Sequence, residues 1–278
     1  MTGGYRGSAL GAARTLLFVP GSRPDRFDKA FAAGADLVVL DLEDAVGPDA
    51  KQEARNDVVE AVRRAGRTPV AVRINAPRTP WHDADVDALA GLECGVMVPK
   101  AESTAALRAL AARLPGASRV IALIESAAGV LAAEDIARSP EVARLAFGSL
   151  DLAAELNVDP DDRTALLFAR MRLLFASAAA GLAPPIDGVT ADVRDAQRLE
   201  SDVEYAKRLG YAAKLCIHPA QLATVERLFR PGADEVAWAR RVLDAAAGVE
   251  DGGVVTLDGA MVDAPVVKRA RSIAMAGR

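Results

Sequence analysis

The chain has 278 residues, 51% hydrophobic and 26% charged, enough to bury one large core or two small ones. Its 34 basic and 38 acidic residues give a net charge of −4, which offers no sequence-wide basic field to a nucleic acid or an anionic membrane. Two cysteines, Cys94 and Cys216, cannot form a disulfide framework and point to a reducing compartment, with the cytoplasm expected; no apolar run reaches the roughly 20 residues that cross a bilayer.

The opening stretch MTGGYRGSALGAARTLL has arginines and no acids but lacks an apolar region of at least about 7 residues before a cleavage site, so residues 1–13 are expected to be a flexible leader. Eight short apolar, β-branched runs follow: TLLFVP (15–20), DLVVLDLE (36–43), PVAVRIN (69–75), GVMVPK (95–100), RVIALIE (119–125), RLAFGS (144–149), PPIDGV (184–189) and AAKLCIH (212–218). They lack polar alternation, which predicts strands covered on both faces, as in a parallel sheet flanked by helices. Helical patterns lie between them: Ser103 opens one with Leu107, Leu110 and Leu114, and Leu167, Met171, Leu174, Phe175 and Ala178 line a face of a longer one. Eight β-then-α units predict a closed (β/α)8 TIM barrel over residues 14–230, and no Gly-x-Gly-x-x-Gly follows the first strand to favour an open dinucleotide-binding sheet. Residues 231–278 form a C-terminal extension: a helix around 233–247, a hairpin turning at Asp258-Gly259, and a last helix opening near Asp263 and Pro265.

In such a barrel the C-terminal strand ends share one face, and that face carries the chemistry. The polar residues falling there are Arg23 after Pro20-Gly21-Ser22, the acids Asp41, Glu43 and Asp44, Arg73 with Asn75, Lys100 with Glu102, Glu125, Ser149 with Asp151, Asp187, and His218. So many carboxylates repel unless cations sit among them, and a metal ion supplies positive charge most compactly. Histidine is reduced to His82 and His218, and no Cys-x-x-Cys or His-Glu-x-x-His occurs, which leaves oxygen ligands suited to Mg²⁺, with Mn²⁺ as the alternative. Glu125 and Asp151 end neighbouring strands and can reach one ion; the competing reading makes Asp151 a helix cap and Glu125 a solvated loop acid. Arg73 either grips a substrate carboxylate or bridges structurally to Glu43 or Asp44. Arg23, Arg26 and Lys29 recur every three residues near the first helix start, where they hold phosphates or form an exposed charged face. His218 is a general base or a structural hydrogen-bonding group; Cys216 reads as packing, and His82 beside Trp81 is assigned no role.

The segments LFVPGSRPDRFDKA, DLEDAV, KQEARN, VRIN, VPKAES, IALIES, FGSLDLAAEL, CIHPAQ and DGAMVDAPVVKRA resemble, in order from about residue 14 to 275, the citrate lyase β-subunit-like proteins of the HpcH/HpaI aldolase superfamily. The resemblance implies a (β/α)8 barrel that assembles as a homotrimer or dimer of trimers, binds Mg²⁺, and makes or breaks carbon–carbon bonds in acyl-CoA thioesters. It implies Glu125 and Asp151 as metal ligands, Glu125 also meeting substrate, and Arg73 on the substrate carboxylate. Arg26, Lys29 and the backbone at Ile217 and His218 would meet coenzyme A, the carrier portion of the substrate; in the mechanism expected here, Glu43 or Asp44 holds the ion's water or Arg73. Asp263, on an extension packed against a neighbouring subunit, would be the acid/base. Many relatives carry an acid where this chain has Leu150, which loosens the expectation of citryl-CoA.

The expected activity is therefore Mg²⁺-dependent cleavage or formation of a 3-hydroxyacyl-CoA such as citryl-, malyl- or citramalyl-CoA, giving an acyl-CoA and a 2-oxo acid. Alternatives are a malate-synthase or malyl-CoA thioesterase type of activity, a CoA-independent pyruvate aldolase, and a non-catalytic CoA-ester-binding subunit. No nucleic-acid or membrane partner is expected.

Overall fold

The computed structural model describes residues 5–114, 120–247 and 255–277. The chain divides into two compact units, Met1–Glu226 and Arg227–Arg278. The first runs α1 (Tyr5–Ala12), β1 (Thr15–Pro20), α2 (Phe27–Phe31), β2 (Leu37–Asp41), α3 (Lys51–Arg64), β3 (Val70–Arg73), α4 (His82–Leu89), β4 (Gly95–Val98), α5 (Thr104–Ala111), β5 (Val120–Ile124), α6 (Ala127–Ala137), β6 (Val142–Phe147), α7 (Ser149–Leu156), α8 (Leu167–Ala179), β7 (Ile186–Asp187), α9 (Ala196–Leu209) and β8 (Ala213–Cys216), with α10 (Leu222–Phe229) leading out.

β1 to β8 pair in sequence order and all in parallel, and β8 closes the barrel against β1 with Thr15 opposite Lys214. Each strand is buried on both faces, which is why its sequence reads as an apolar run: Leu37 and Val39 of β2 join the interior cluster with Leu16, Met97 and Leu123, while the equally buried Val38 and Leu40 point the other way. The strands stop sooner than the apolar runs predict. β2 ends at Asp41 and β5 at Ile124, so Glu43, Asp44 and Glu125 stand on the first residues beyond the sheet.

The expected flexible leader is corrected over its described part. Residues 5–12 form α1, and Leu10 and Ala13 are buried within the barrel's interior cluster. Arg144, on β6, holds this plug: only 1% exposed, it donates from Nη1 to the Ala13 and Leu10 carbonyls (2.6 and 3.3 Å) and from Nε to the Pro184 carbonyl (2.7 Å). Burial lowers its pKa, yet the carbonyl dipoles satisfy its donors.

A second correction concerns α8. The face expected inward carries Phe175, which is exposed, whereas the buried stripe is Leu166, Ala169, Arg170, Leu173, Ala176 and Ser177. A cation lies on the buried side because Asp187 and the Phe147 ring receive it. Ser103 caps α5 as expected, its hydroxyl accepting from the Ala106 N–H.

The second unit holds α11 (Ala233–Ala247), the antiparallel pair β9 (Val255–Leu257) and β10 (Ala260–Val262), and α12 (Ala264–Ala276). Asp258 and Gly259 both take positive φ, 52° and 79°, the paired left-handed turn that the Asp-Gly dipeptide predicts. Ala239, Val242, Val262 and Ala270 form this unit's own core. Cys94 and Cys216 are free and buried, and burial pushes the Cys216 thiol up to about 12. Among the described residues no helix is long and apolar enough to cross a membrane.

Candidate active site

The turn after β2 is organised by Asp41. Its carboxylate accepts from the Glu43 N–H (2.9 Å) and the Ala45 N–H (3.3 Å), folding the acid-rich loop back over the strand end. The same carboxylate takes Arg73 in a two-pronged pair, Nε to Oδ1 and Nη2 to Oδ2, each 2.7 Å. Arg73 Nη1 also lies 3.0 Å from Glu43 and 3.6 Å from Asp44. The structural bridge proposed for Arg73 thus exists, but its main partner is Asp41 rather than Glu43 or Asp44. Burial alone would lower the Arg73 pKa; the Asp41 hydrogen bonds and the Glu43 and Asp44 charges outweigh it and raise the value. The guanidinium is charged, packed 4.9 Å from the centre of the Phe18 ring, and faces a cavity of about 410 Å³ at the barrel mouth.

Glu125, Asp151 and Leu150 line the same cavity, with Phe147 and Leu123 as apolar wall. Glu125 is 3% exposed, not a solvated loop acid, and Oε1 accepts the Lys100 N–H at 2.9 Å. Gly148 makes room for it: a Cβ there would lie 2.4 Å from the Glu125 Cβ, so only glycine lets β6 pass. Asp151 sits in the first turn of α7, which is capped at Gly148 without a side-chain bond, so the cap role is not adopted and its carboxylate stays available. Lys100 holds a left-handed φ of 46° that brings its Nζ to 3.6 Å from Asp151 and 3.9 Å from Glu43.

The charge is unevenly balanced. Burial pushes Glu125 up to about 7, helped by the neighbouring Asp151 charge and opposed by the Lys100 N–H. Burial pushes Glu43 up to about 8, against the pull of Arg73, with Glu125 and Asp44 adding repulsion. Glu43 Oε2 is buried and has no hydrogen-bond partner. Among the described residues no cluster of three or more His, Cys, Asp or Glu side chains forms a ready-made cage. Mg²⁺ characteristically needs only one or two carboxylates, completing its octahedron with water and substrate oxygens. Glu125 and Asp151 fit that description, and Glu43 Oε2, ion-paired to Arg73 but without a hydrogen bond, fits an acceptor for a coordinated water.

The remaining expected residues fall elsewhere. Arg26 and Lys29 are exposed on the turn and helix after β1 and do not line the cavity. Ile217 lines it, but its N–H already donates to Gln221 Oε1 (2.9 Å), which leaves only its carbonyl for a ligand. His218 caps the following turn, Nδ1 accepting from the Ala220 N–H (3.1 Å). Asp263 belongs to the second unit, where it caps α12 by accepting from the Val266 N–H (3.2 Å). Sequence reasoning gave no task to Lys100, although a lysine ending a buried strand was the available signal. It also missed the support beneath the loop. Lys51 donates to the Leu42 and Glu43 carbonyls (2.7 Å each), and Asp85 gathers Arg55 (2.7 Å) with the side chain and N–H of Asn75 (2.6 and 2.8 Å).

Residues 14–219 match the family model described as HpcH/HpaI aldolase/citrate lyase. A citrate lyase subunit beta-like protein of Mycobacterium tuberculosis is 39% identical over 264 residues, covering 92% of this chain and 93% of that one. A (3S)-malyl-CoA thioesterase of Cereibacter sphaeroides is 35% identical over 256 residues, covering 90% and 89%. The crystal structure of CitE from Mycobacterium tuberculosis in complex with magnesium, acetoacetate and coenzyme A superimposes with a TM-score of 0.82 at 35% identity, covering 95% of this chain and 98% of that one. With the barrel, the acid-lined mouth and these likenesses together, the chain belongs to the HpcH/HpaI aldolase/citrate lyase family.

Proposed function

We propose that the protein is a Mg²⁺-dependent carbon–carbon lyase that cleaves, or forms, a 3-hydroxyacyl-CoA carrying a carboxylate beside its hydroxyl, giving an acyl-CoA and a 2-oxo acid. The observation that carries this reading is Glu125, a carboxylate sealed beside Asp151 and pushed up to about 7, whose ionised form calls for a cation. Bound between Glu125 and Asp151, the ion would supply Lewis-acid polarisation of chelating substrate oxygens. The relative captured with magnesium, acetoacetate and coenzyme A supports the assignment of both ion and substrate carrier.

The chain's own residues do the rest. Arg73, its Nε and one edge of Nη2 committed to Asp41 and its Nη1 ion-paired with Glu43, lines the cavity and orients the substrate carboxylate with the N–H groups left over. Glu43 and Asp44 keep Arg73 in place and order water at the mouth. The hydroxyl proton leaves to a base, the carbon–carbon electron pair passes into the thioester, and the resulting enolate is protonated at its α carbon by Asp263 of a second copy of the chain. Arg26 and Lys29 meet the phosphates of coenzyme A outside the cavity, and Ile217 and His218 border its path. Glu102, which accepts from the Ser126 hydroxyl (2.7 Å), steadies the turn after Glu125.

A second reading, thioester hydrolysis after the same enolate chemistry, is favoured by the (3S)-malyl-CoA thioesterase relative. One experiment separates them: incubation with malyl-, methylmalyl-, citramalyl- and citryl-CoA plus Mg²⁺, read by mass spectrometry. Acyl-CoA with a 2-oxo acid marks the lyase, and free CoA marks the thioesterase. No conversion of any of the four by the purified chain overturns both and leaves the non-catalytic subunit.

A further inference from the structure

A second cavity, of about 350 Å³, lies beside the first and shares Ser149, Leu150 and Val189 with it. The lyase chemistry makes no use of it. Ile186 and Leu215 turn into the barrel interior, so Asp187 and Lys214, next to them on β7 and β8, point outward into the layer beneath α8 and α9, where both are buried. Lys214 Nζ donates to Asp187 Oδ2 (2.9 Å) and to the Gly188 carbonyl (2.7 Å). From α8, Arg170 Nε donates to Asp187 Oδ1 (3.2 Å), and its guanidinium lies 4.6 Å from the Phe147 ring centre and 5.6 Å from that of Tyr205.

Arg170 is what makes this more than a cluster of ion pairs. Its side chain is 10% exposed, it borders the cavity, and its two terminal nitrogens donate to no described residue. The aromatic rings hold the guanidinium in one orientation, so its free donors are pre-arranged for an acceptor. Around it, Arg163 donates to Ser201 (2.8 Å) and Asp202 (3.0 Å), and Arg198 to Asp202 (3.0 Å) and Asp161 (2.6 Å). The walls thus carry four cations and five acids: Asp187 and Asp202 are sheltered, Asp161 is exposed and pairs with the part-exposed Arg198, and Asp192 and Asp195 are exposed at the mouth, where water screens them. The Arg170 terminal nitrogens, at the cavity wall and without an acceptor, are the donors left for an entering ligand.

We propose that this cavity is a binding site for a small oxyanion, a carboxylate or a phosphate, seated on the terminal nitrogens of Arg170 with Arg163, Arg198 and Lys214 around it. The volume is that of a small-molecule pocket. The site is independent of the lyase reading, since it contains neither Glu125 nor Arg73.

The test is isothermal titration of the full chain, in EDTA and at ionic strength fixed with chloride, with inorganic phosphate and separately with succinate. One saturable site per chain is expected for at least one of them, and the tighter of the two assigns the ligand class. Arg170→Gln should weaken that binding at least tenfold, while Arg73→Gln leaves it within twofold. Saturable binding of neither anion overturns the proposal, as does binding that survives Arg170→Gln and is lost in Arg73→Gln, because the anion then sits in the first cavity. Should Arg170→Gln fail to fold, Arg163→Gln at the cavity's edge, with a side chain 34% exposed, takes its place. It should weaken binding at least threefold, and unchanged affinity in that variant overturns the proposal. Turnover is not read, so failure of the lyase reading leaves this result intact.

Discussion

The two ends of the barrel treat a buried arginine in opposite ways. At the end closed by α1, Arg144 spends its donors on the carbonyls of Leu10, Ala13 and Pro184, and the cavity beside Leu10 amounts to about 30 Å³. At the other end Arg73 stands among Asp41, Glu43 and Asp44 beside about 410 Å³ of open space, with Glu43 Oε2 ion-paired to it but not hydrogen-bonded. Carbonyl partners are neutral and fixed by the backbone, so they satisfy a guanidinium without calling for anything further. Crowded carboxylates, Glu43, Asp44, Glu125 and Asp151 among them, keep a demand for positive charge beyond what Arg73 and Lys100 supply. Burial of charge therefore marks stability at one end and chemistry at the other.

The sharpest way to break this contrast is at Glu125 and Asp151. Glu125→Gln or Asp151→Asn should lower turnover of the preferred acyl-CoA by about a thousandfold, the loss of several kcal/mol of transition-state stabilisation, and weaken Mg²⁺ binding measured by titration. Thermal stability without metal should hold or rise. A variant that retains wild-type Mg²⁺-dependent rates would remove Glu125 and Asp151 from the site.

Arg144→Met should do the reverse. Leaving the carbonyls of Ala13 and Pro184 unpaired in the interior costs about 3 kcal/mol of unfolding free energy, read by urea denaturation, with turnover per folded molecule unchanged. A large fall in turnover at constant stability would mean that the two ends are coupled.

The smallest effect is a pH dependence confined to the mouth. Glu125 and Glu43 are raised to about 7 and about 8, above the ordinary carboxylate value of 4.5, so the folded protein holds these protons more tightly than the unfolded chain. Their contribution is fully present below about pH 4.5 and is lost as pH rises through 7 to 8, so the metal-free protein should lose roughly 1 kcal/mol or more of stability between pH 5 and pH 8. Glu125→Gln should flatten that decline, and Mg²⁺ at pH 8 should restore what was lost. A metal-free stability that climbs over this interval, with the variant parallel to wild type, would show that these carboxylates are not the strained groups.

Much of this was readable along the chain. TLLFVP became β1 residue for residue, Asp258-Gly259 turned the hairpin as its dipeptide requires, and the acids of DLED reached the mouth because a parallel strand must exit at that end. The inward face of α8 was not readable: Phe175 outranks Arg170 in hydropathy, yet Arg170 is buried because Asp187, seventeen residues on, meets it. Residues 5–12 looked like a leader because a short Gly/Ala-rich segment is a weak helix by itself; Leu10 is buried only once the barrel offers its end. Lys100 was visible, but its neighbours Asp151 and Glu43 come from α7 and from the loop after β2.

Local pattern thus decided the eight strands, their common direction and the face on which their polar residues emerge, since side-chain alternation and chain reversal act over a few residues. Which charges meet was decided by closure of the barrel. Asp41 with Arg73, Lys100 with Glu125, and Arg170 with Asp187 are partners separated by 32, 25 and 17 positions, and no periodicity along the chain encodes a partner on another strand. The acid-lined mouth and the second cavity therefore exist only in the assembled fold, where low dielectric and shared burial bring separate residues together.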